Sequence, residues 1–558
     1  MFSLRRVLPL FGIALFVQVA SAQTPEIQAN IDAQLNALRT AGPAILPGPA
    51  ATVAAEEAAV EALAARIDKH LETFWAKNKI KPSDPADDAE FLRRIHLDLV
   101  GRIPSVPEVR QFLADADPKK REKKIAELLN KTGFFNHFST VLRQLWVPQT
   151  IDNPNFQFVG TQFETWLRAH LRKNTGLDQM VREIITAPTL FNRGRPGTPQ
   201  VDFNNSAFGF NQVNEFKPEN VASSVSRLFM GVKMECAQCH DHPFAVITRE
   251  QFWETAAFFA DLQPTVANAT DVKMKREIKI QDVDPKKQKT VQARFFDDSE
   301  PAWKDDVSPR ITFADWLLSA KNPYFARISV QRLWAHFFGL AFIDPVDEPG
   351  AENPELIPGI VDDLAKAFVA SKYDNRFLIK VITRTQAYQL SSRQTDPSQA
   401  SNRHFARMNV KALSAEQLFD SLSLATGFTD QFQDPQRRQF PGGARRDFLA
   451  RFASTERSVE RQMSILQALT LMNGQFISVQ TSVERSNFLA AIAEAPFLDV
   501  YGKIDALFMA TLSRPATSLE MQRFSNHVVN GGTEKDEKKA LADVYWALLN
   551  SSEFILNH

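Results

Sequence analysis

One short stretch concentrates the reactive side chains of the chain. The sequence CAQCHDH, residues 236–242, holds both cysteines of the protein and two of its ten histidines. A C-x-x-C-H spacing is typical of covalent c-type haem attachment. In that chemistry the thiols of Cys236 and Cys239 bond to the haem vinyl groups, and His240 becomes an axial ligand of the iron. The spacing therefore predicts haem c as a cofactor, bound by these three residues.

The same stretch can instead hold a non-haem metal ion. Thiolate and imidazole ligands suit Zn²⁺ in tetrahedral geometry, and imidazole also suits Fe²⁺. On this interpretation His240 and His242 join the two thiolates as ligands, and His336 or the acidic loop at residues 342–350 completes the set. An open coordination position would activate water, so the second hypothesis is a zinc- or iron-dependent hydrolase or lyase.

A third hypothesis gives the stretch a purely structural part. Cys236 and Cys239 would close a local disulfide, while His240 and His242 would cap the helix that follows. The protein would then be an interaction scaffold. The sequence leaves these three alternatives open, and with them the question of whether the protein is an enzyme.

Several other classes of protein are excluded by motif and charge. The sequence contains no G-x-S-x-G, H-E-x-x-H, P-loop or dinucleotide-binding fingerprint. Lys plus Arg and Asp plus Glu both number 65, so the chain has no net field that would attract nucleic acid. Beyond the N-terminus no run of residues is long and apolar enough to predict a membrane span.

The N-terminus has the composition of an export signal. Two arginines, an apolar segment and the small-residue sequence ASA follow one another within residues 1–22. Residues 23–55 are rich in Ala and Pro, which predicts a tether that packs against nothing. We therefore expect an exported protein, periplasmic or extracellular after cleavage. Covalent haem attachment and disulfide formation both take place outside the cytoplasm.

The reactive stretch needs two helices to position it. Pro218 suits the first turn of a helix, and Gly231 is placed to end it. Thr248 and Gln251 form a capping box for the next helix. The stretch is therefore predicted to be a tight turn between two helices. Backbone N–H groups at such a turn lower thiol pKa values and favour haem or metal binding.

The rest of the chain reads as mainly α. Apolar residues recur at helical spacing over residues 56–262, predicted as one helical domain, and over residues 309–558, predicted as a second. Alternating apolar residues between them predict short strands at 265–266, 272–274, 277–280 and 291–296, within a small β-containing insertion or linker at 263–308. In the first domain, Asp98 and Arg102 are spaced to form an ion pair where a helix ends at Gly101.

Several segments resemble a family of exported proteins of planctomycetes and related bacteria. Its members pair a cytochrome-c-associated N-terminal domain, PSCyt-two-like, with a PSD-one-like C-terminal domain, and both have undefined activity. In the first domain the resemblance rests on FLRRIHLDLVGRIP at residues 91–104 and CAQCHDHPF at 236–244. In the second it rests on NPYFA at 322–326, RLWAHFFG at 332–339, DPVD at 344–347, LSAEQ at 413–417 and QALTLMN at 467–473.

The resemblance implies a redox setting without identifying a reaction. It implies a function in electron transfer, linked to the breakdown of complex polysaccharides, with a cytochrome c or another redox protein as partner. His336 lies in one of the matching segments, which makes it the best candidate for a ligand outside the motif. The sequence departs from the family near residues 452–461, where relatives carry a second cysteine cluster and this chain has none.

Overall fold

The structure is a computed structural model of the 558-residue chain. It describes residues 53–187, 207–242, 247–262, 275–280, 288–305, 307–348, 353–428, 443–454, 458–461 and 464–558. The predicted signal peptide and nearly all of the predicted tether lie outside the described residues.

The first part of the chain is a succession of helices. They are α1 (Val53–Asn78), α2 (Asp88–Val100), α3 (Val106–Ala114), α4 (Lys120–Leu128), α5 (Thr132–Trp146), α6 (Gln149–Asp152), α7 (Gln157–Lys173), α8 (Leu177–Ile185), α9 (Gly209–Val213), α10 (Pro218–Val225) and α11 (Arg249–Ala257). Between α10 and α11 lie a π-turn at Ser226–Met230 and a 3₁₀ turn at Glu235–Gln238.

The second part is also helical. It contains α12 (Pro309–Leu317), α13 (Phe325–Phe338), α14 (Ile360–Ala370), α15 (Asn375–Arg384), α16 (Gln386–Gln389), α17 (Ala415–Thr426), α18 (Ala444–Phe452), α19 (Ile465–Asn473), α20 (Gln475–Gln480), α21 (Asn487–Ala493), α22 (Val500–Thr511), α23 (Ser518–Val529), α24 (Glu537–Leu549) and α25 (Ser552–Ile555). The mainly α fold class is confirmed.

Two small antiparallel sheets interrupt the helices in the described residues. Strands β1 (Glu277–Ile280) and β2 (Lys289–Gln292) pair between the two helical parts. A strand at 277–280 is as predicted, whereas the second strand begins two residues before the predicted Val291. Strands β3 (Lys411–Ala412) and β4 (Leu556–Asn557) bring two distant parts of the chain together. The strands predicted at 265–266 and 272–274 lie outside the described residues.

The buried side chains form two hydrophobic cores. The larger one consists of residues between Val60 and Met408, together with Met509, and so includes helices from both sides of the β1–β2 hairpin. The smaller one is built mainly from residues 413–554. The predicted domain division at residues 262 and 308 stays a prediction, but the larger core is continuous across it.

Helix α2 connects the two cores. All nine of its residues from Phe91 to Leu99 are buried. Ile95 belongs to the larger core, whereas Leu97 belongs to the smaller one. A helix that is buried on every side needs partners for its polar groups, and those of Asp98, Arg93 and in part Arg94 come from the second half of the chain.

None of the helices in the described ranges is long and apolar enough to cross a membrane.

Candidate functional site

The segment leading to the cysteines ends in an irregular turn. Helix α10 begins at Pro218, as predicted, and continues into the π-turn at Ser226–Met230. Gly231 ends this turn with φ +70°, and a β-carbon there would lie 2.8 Å from Ile328 Cδ1. Both the left-handed conformation and the close approach of α13 require glycine at this position. The chain therefore turns sharply just before the reactive stretch.

The two cysteines lie at a 3₁₀ turn. Cys236 is within the turn at Glu235–Gln238, and Cys239 is the residue that caps it, so the two are three residues apart at one irregular piece of backbone. Both are exposed free thiols. The neighbouring residues Met234 and Ala237 are, by contrast, fully buried, and they anchor the turn in the core. The predicted turn between two helices is confirmed, and its thiols face solvent.

His240 follows the turn with one ring nitrogen already engaged. Its side chain is exposed, and Nδ1 lies 2.7 Å from the backbone oxygen of Asp241. When Nδ1–H donates to this carbonyl, the lone pair is on Nε2, which is the arrangement of a metal-ligating histidine. The backbone N–H of the next histidine, His242, donates to the carbonyl of Ile247 at 2.8 Å.

Helix α11 fixes the turn from the other side. Its capping box is the predicted one, with the Thr248 side chain accepting from the N–H of Gln251 at 3.1 Å. Asp241 Oδ1 accepts from the N–H of Arg249 at 2.7 Å, and Trp253 Nε1 donates to the carbonyl of Gln238 at 3.1 Å. These bonds hold the backbone around the thiols and leave the thiols themselves uncovered.

The second half of the chain also supports this turn. The N–H of Lys233 donates to the carbonyl of Asp347 at 2.9 Å, and its ammonium group pairs with Glu348 at 2.6 Å. From α13, Arg332 donates to the carbonyl of Arg227 at 2.6 Å. The acidic loop that the sequence offered as a ligand source thus braces the backbone just before the cysteines.

His336 lies in a different environment from the other predicted ligands. It is on α13, where Nε2–H donates to the backbone oxygen of Asp98 at 3.0 Å. Its ring packs 5.1 Å from Phe138 and 6.0 Å from His137, and burial lowers its pKa. In the described part of the chain, the contacts of His336 are therefore with Asp98, His137 and Phe138 and not with the cysteine turn.

No metal-binding group emerges from the described residues. Among them, no three side chains of His, Cys, Asp or Glu come together in a way that could hold an ion. The metal ligands that the sequence offered, His240, His242 and His336, therefore stay a prediction. The structure brings the first two together on the turn and places the third elsewhere.

A buried polar cluster surrounds the carboxylate of Asp98. Lys411 Nζ and Asn557 Nδ2 each donate to Oδ1 at 2.7 Å, and the Tyr388 hydroxyl donates to Oδ2 at 2.8 Å. Burial lowers the pKa of Lys411 and raises that of Tyr388 well above its ordinary value. The ion pair predicted between Asp98 and Arg102 is wrong, because Lys411 takes that place. Nothing in the local sequence marks these partners, which lie 290 to 459 residues further along.

A cleft opens next to this cluster. It has a volume of about 790 Å³ and is lined by the end of α2 and by α5, α7, α17 and α18. His137 lies between the cluster and the cleft, and its Nε2 is shielded from water without a hydrogen-bond partner. Burial is the main cause that lowers the pKa of His137 to about 3, with smaller contributions from the neighbouring His336 and Lys411, so its ring is neutral at pH 7.

The family comparisons agree with the resemblance seen in the sequence. Residues 66–264 match PSCyt2, described as a protein of unknown function (DUF1549), and residues 309–528 match PSD1, a protein of unknown function (DUF1553). No curated protein and no solved structure matches the chain. Both the cysteine turn and α2 fall within the first match, whereas α13 and Lys411 fall within the second. The chain belongs to the proteins that carry a PSCyt2 domain followed by a PSD1 domain.

Proposed function

We propose that this is an exported electron-transfer protein that binds haem c covalently at its cysteine turn. One observation carries the proposal: the free thiols of Cys236 and Cys239 are both exposed, lie three residues apart at a 3₁₀ turn, and are immediately followed by the exposed His240. Two exposed thiols at this spacing can both bond to one flat molecule bound over the turn. Because no disulfide joins Cys236 to Cys239, both sulfurs are available for thioether bonds.

The donor set fits a c-type haem. Cys236 and Cys239 would hold the porphyrin through its vinyl groups, and His240 would ligate the iron through Nε2. The hydrogen bond from Nδ1 to the carbonyl of Asp241 orients the imidazole ring and raises its basicity as a ligand. The haem would supply one-electron transfer, while the bonds from α11 and Trp253 keep the turn in place.

The exposure of the site bears on its partner. Because both thiols and His240 face solvent, a second redox protein can approach without any opening of the fold. We propose a cytochrome c or a similar exported redox protein as that partner. An association with polysaccharide breakdown comes from the family resemblance alone.

The decisive experiment is expression of the full chain in a host that attaches c-type haem. We expect a Soret band and an intact mass increased by one haem. Cys236→Ala combined with Cys239→Ala removes the covalent adduct, whereas His240→Ala keeps the adduct and changes the spectrum of the iron. His242→Ala is the matched control, and it leaves both signals unchanged. An unmodified mass without a Soret band in the wild-type protein refutes the proposal.

The same sample tests the alternatives. Stoichiometric zinc or iron, lost on His240→Ala, would support the metal-dependent hydrolase or lyase. Absence of metal and haem, together with two thiols that titrate only after reduction, would support the scaffold with a local disulfide.

A further inference from the structure

We propose that the cleft between α2, α5, α7, α17 and α18 binds a small hydroxyl-bearing molecule through an oxyanion group, such as a carboxylate, sulfate or phosphate. The site does not depend on the cysteine turn or on any cofactor. It has a volume of about 790 Å³, within the range of about 300 to 1,000 Å³ typical of pockets for small molecules.

Charge is the first argument for an anionic ligand. Four arginines line the cleft, against three carboxylates, which leaves a surplus of one positive charge. The arginines are Arg102, Arg143, Arg168 and Arg445. Field lines concentrate in a cleft with low-dielectric walls, so even a small surplus attracts an anion there.

The three carboxylates of the cleft already have hydrogen-bond partners within the protein. Arg143 Nε donates to Glu164 at 2.6 Å, and Arg445 Nε donates to Asp420 at 3.2 Å. The third carboxylate, Glu416, accepts from the amide of Gln144 at 2.8 Å and lies 4.0 Å from a guanidinium nitrogen of Arg143. Two arginines, Arg143 and Arg445, are therefore neutralised within the protein.

The other two arginines have donors to spare. Arg102 is exposed in the cleft and forms no hydrogen bond or ion pair with any residue that the structure describes. Arg168 has one nitrogen 3.6 Å from Oε2 of Glu164, a carboxylate that it shares with Arg143 on Oε1, and its remaining donors are not used by this pair. Its Nε is shielded from water and has no hydrogen-bond partner among the described residues. A guanidinium presents donors in a planar fork that matches an oxyanion.

Neutral polar groups complete the lining. Both His137 Nε2 and Ser423 Oγ are shielded from water, and neither has a hydrogen-bond partner in the described structure. Leaving a buried polar atom unpaired costs about 1–3 kcal/mol, so a ligand hydroxyl in the cleft is favoured once either side chain turns to meet it. Because the His137 ring is neutral, it can accept or donate one such hydrogen bond.

Both matched domains contribute residues to the lining of the cleft. Arg102 and Arg168 lie within the PSCyt2 match, whereas Glu416 and Ser423 lie within the PSD1 match. Neither part could form the cleft alone. The proposed ligand would therefore bind where the two domains meet, and the family resemblance at residues 91–104 and 413–417 falls on its walls.

The test is calorimetric titration of the full-length protein with four probes. These are glucuronate, its neutral counterpart glucose, inorganic sulfate and inorganic phosphate. We expect glucuronate to bind, sulfate and phosphate to bind more weakly and to compete with it, and glucose to give no heat. A rise in salt concentration should weaken the binding of glucuronate, because the contact is between charges.

Variants connect the binding to the two arginines. Arg102→Ala and Arg168→Ala are each expected to weaken glucuronate binding by roughly tenfold or more, as for a lost hydrogen bond to a charged group. Arg102→Lys keeps the charge and loses the fork, so it should be intermediate. Arg172→Ala is the matched control, because Arg172 is exposed on the same helix, α7, and does not line the cleft.

Three outcomes would overturn the inference. The first is no binding of any anion by protein whose thermal unfolding is that of the wild type. The second is binding of glucose as tightly as glucuronate. The third is equal affinity of Arg102→Ala, Arg168→Ala and the Arg172→Ala control. Equal binding of inorganic sulfate and glucuronate would remove the hydroxyl-bearing part of the ligand from the proposal.

Discussion

Replacing Lys411 with methionine should destabilise the protein strongly. Methionine is nearly the size of lysine, so Lys411→Met removes a charge and leaves no large cavity. The side chains of Lys411 and Asp98 are only 6% and 2% exposed, and the change leaves the carboxylate of Asp98 buried without its cation. The carbonyls of His336 and Phe337 at the end of α13 lose the same donor.

The size of the effect follows from these contacts. Removing one partner of a buried ion pair typically costs about 3–5 kcal/mol, because the remaining charge stays desolvated. Tyr388 and Asn557 still donate to Asp98 in the variant, which favours the lower part of that range. We therefore expect Lys411→Met to lower the free energy of unfolding by about 3 kcal/mol.

Urea unfolding followed by tryptophan fluorescence measures this quantity, since the chain has eight tryptophans. Lys538→Met is the matched control: it breaks a pair with Glu494 whose side chains are 53% and 65% exposed, and should cost less than about 1 kcal/mol. The double variant Asp98→Asn with Lys411→Met removes both charges and should recover part of the loss. A Lys411→Met protein as stable as the Lys538→Met control would refute the reasoning, and so would a double variant no better than the single one.

Two further predictions concern pH and backbone strain. Hydrogen bonds from Arg514 lower the pKa of Glu520 to about 2, so its stabilisation is present above the ordinary pKa of 4.5 and is lost as the pH falls through 2. Glu520→Gln should therefore lower the free energy of unfolding by about 1 kcal/mol at pH 7, allowing for solvent screening. The difference between variant and wild type should disappear as the pH falls to 2 and below, and a difference that does not change with pH would contradict this. Gly101 has φ +75°, and a β-carbon there would lie 2.4 Å from His137 Nδ1, so Gly101→Ala should lower the thermal midpoint and cost about 1–3 kcal/mol. Gly502→Ala, within helix α22, is the control: its β-carbon would approach only the side chains of Leu498 and Asp499, at 3.2 and 3.3 Å, so this change should alter the stability by less than about 1 kcal/mol. Equal effects of the two changes would contradict the strain argument.

The structure around the cysteines was largely predictable, because its determinants are local. Pro218 starts a helix, Thr248 and Gln251 cap another, and Gly231 ends the turn between them. Each of these signals acts over a few residues, so one sequence is enough to read it. The exposure of the two thiols was not predictable, since it depends on which residues of the turn the rest of the fold buries.

The buried cluster and the cleft could not be predicted in the same way. Asp98 meets Lys411 and Asn557 across separations of 313 and 459 residues. No periodicity or spacing in a single sequence identifies pairs that far apart. His336 illustrates the difference: the helix that carries it ends at Gly339, a signal that is local to the sequence, whereas its neighbours belong to α2 and α5 and follow from tertiary packing.

The buried arginines of α2 determine when the protein can finish folding. Arg93 donates to the carbonyl of Phe554, 461 residues away, and Arg94 donates to that of His558, 464 residues away. Arg94 also pairs with Glu90 and donates to the carbonyl of Tyr388, whereas the hydrogen-bond partners of Arg93 all lie at residues 511–554. Until those residues arrive, closing the core around α2 would leave the Arg93 guanidinium without a partner, at a cost of several kcal/mol. We therefore expect this early helix to be among the last to settle, and folding to depend on contacts between distant parts of the chain.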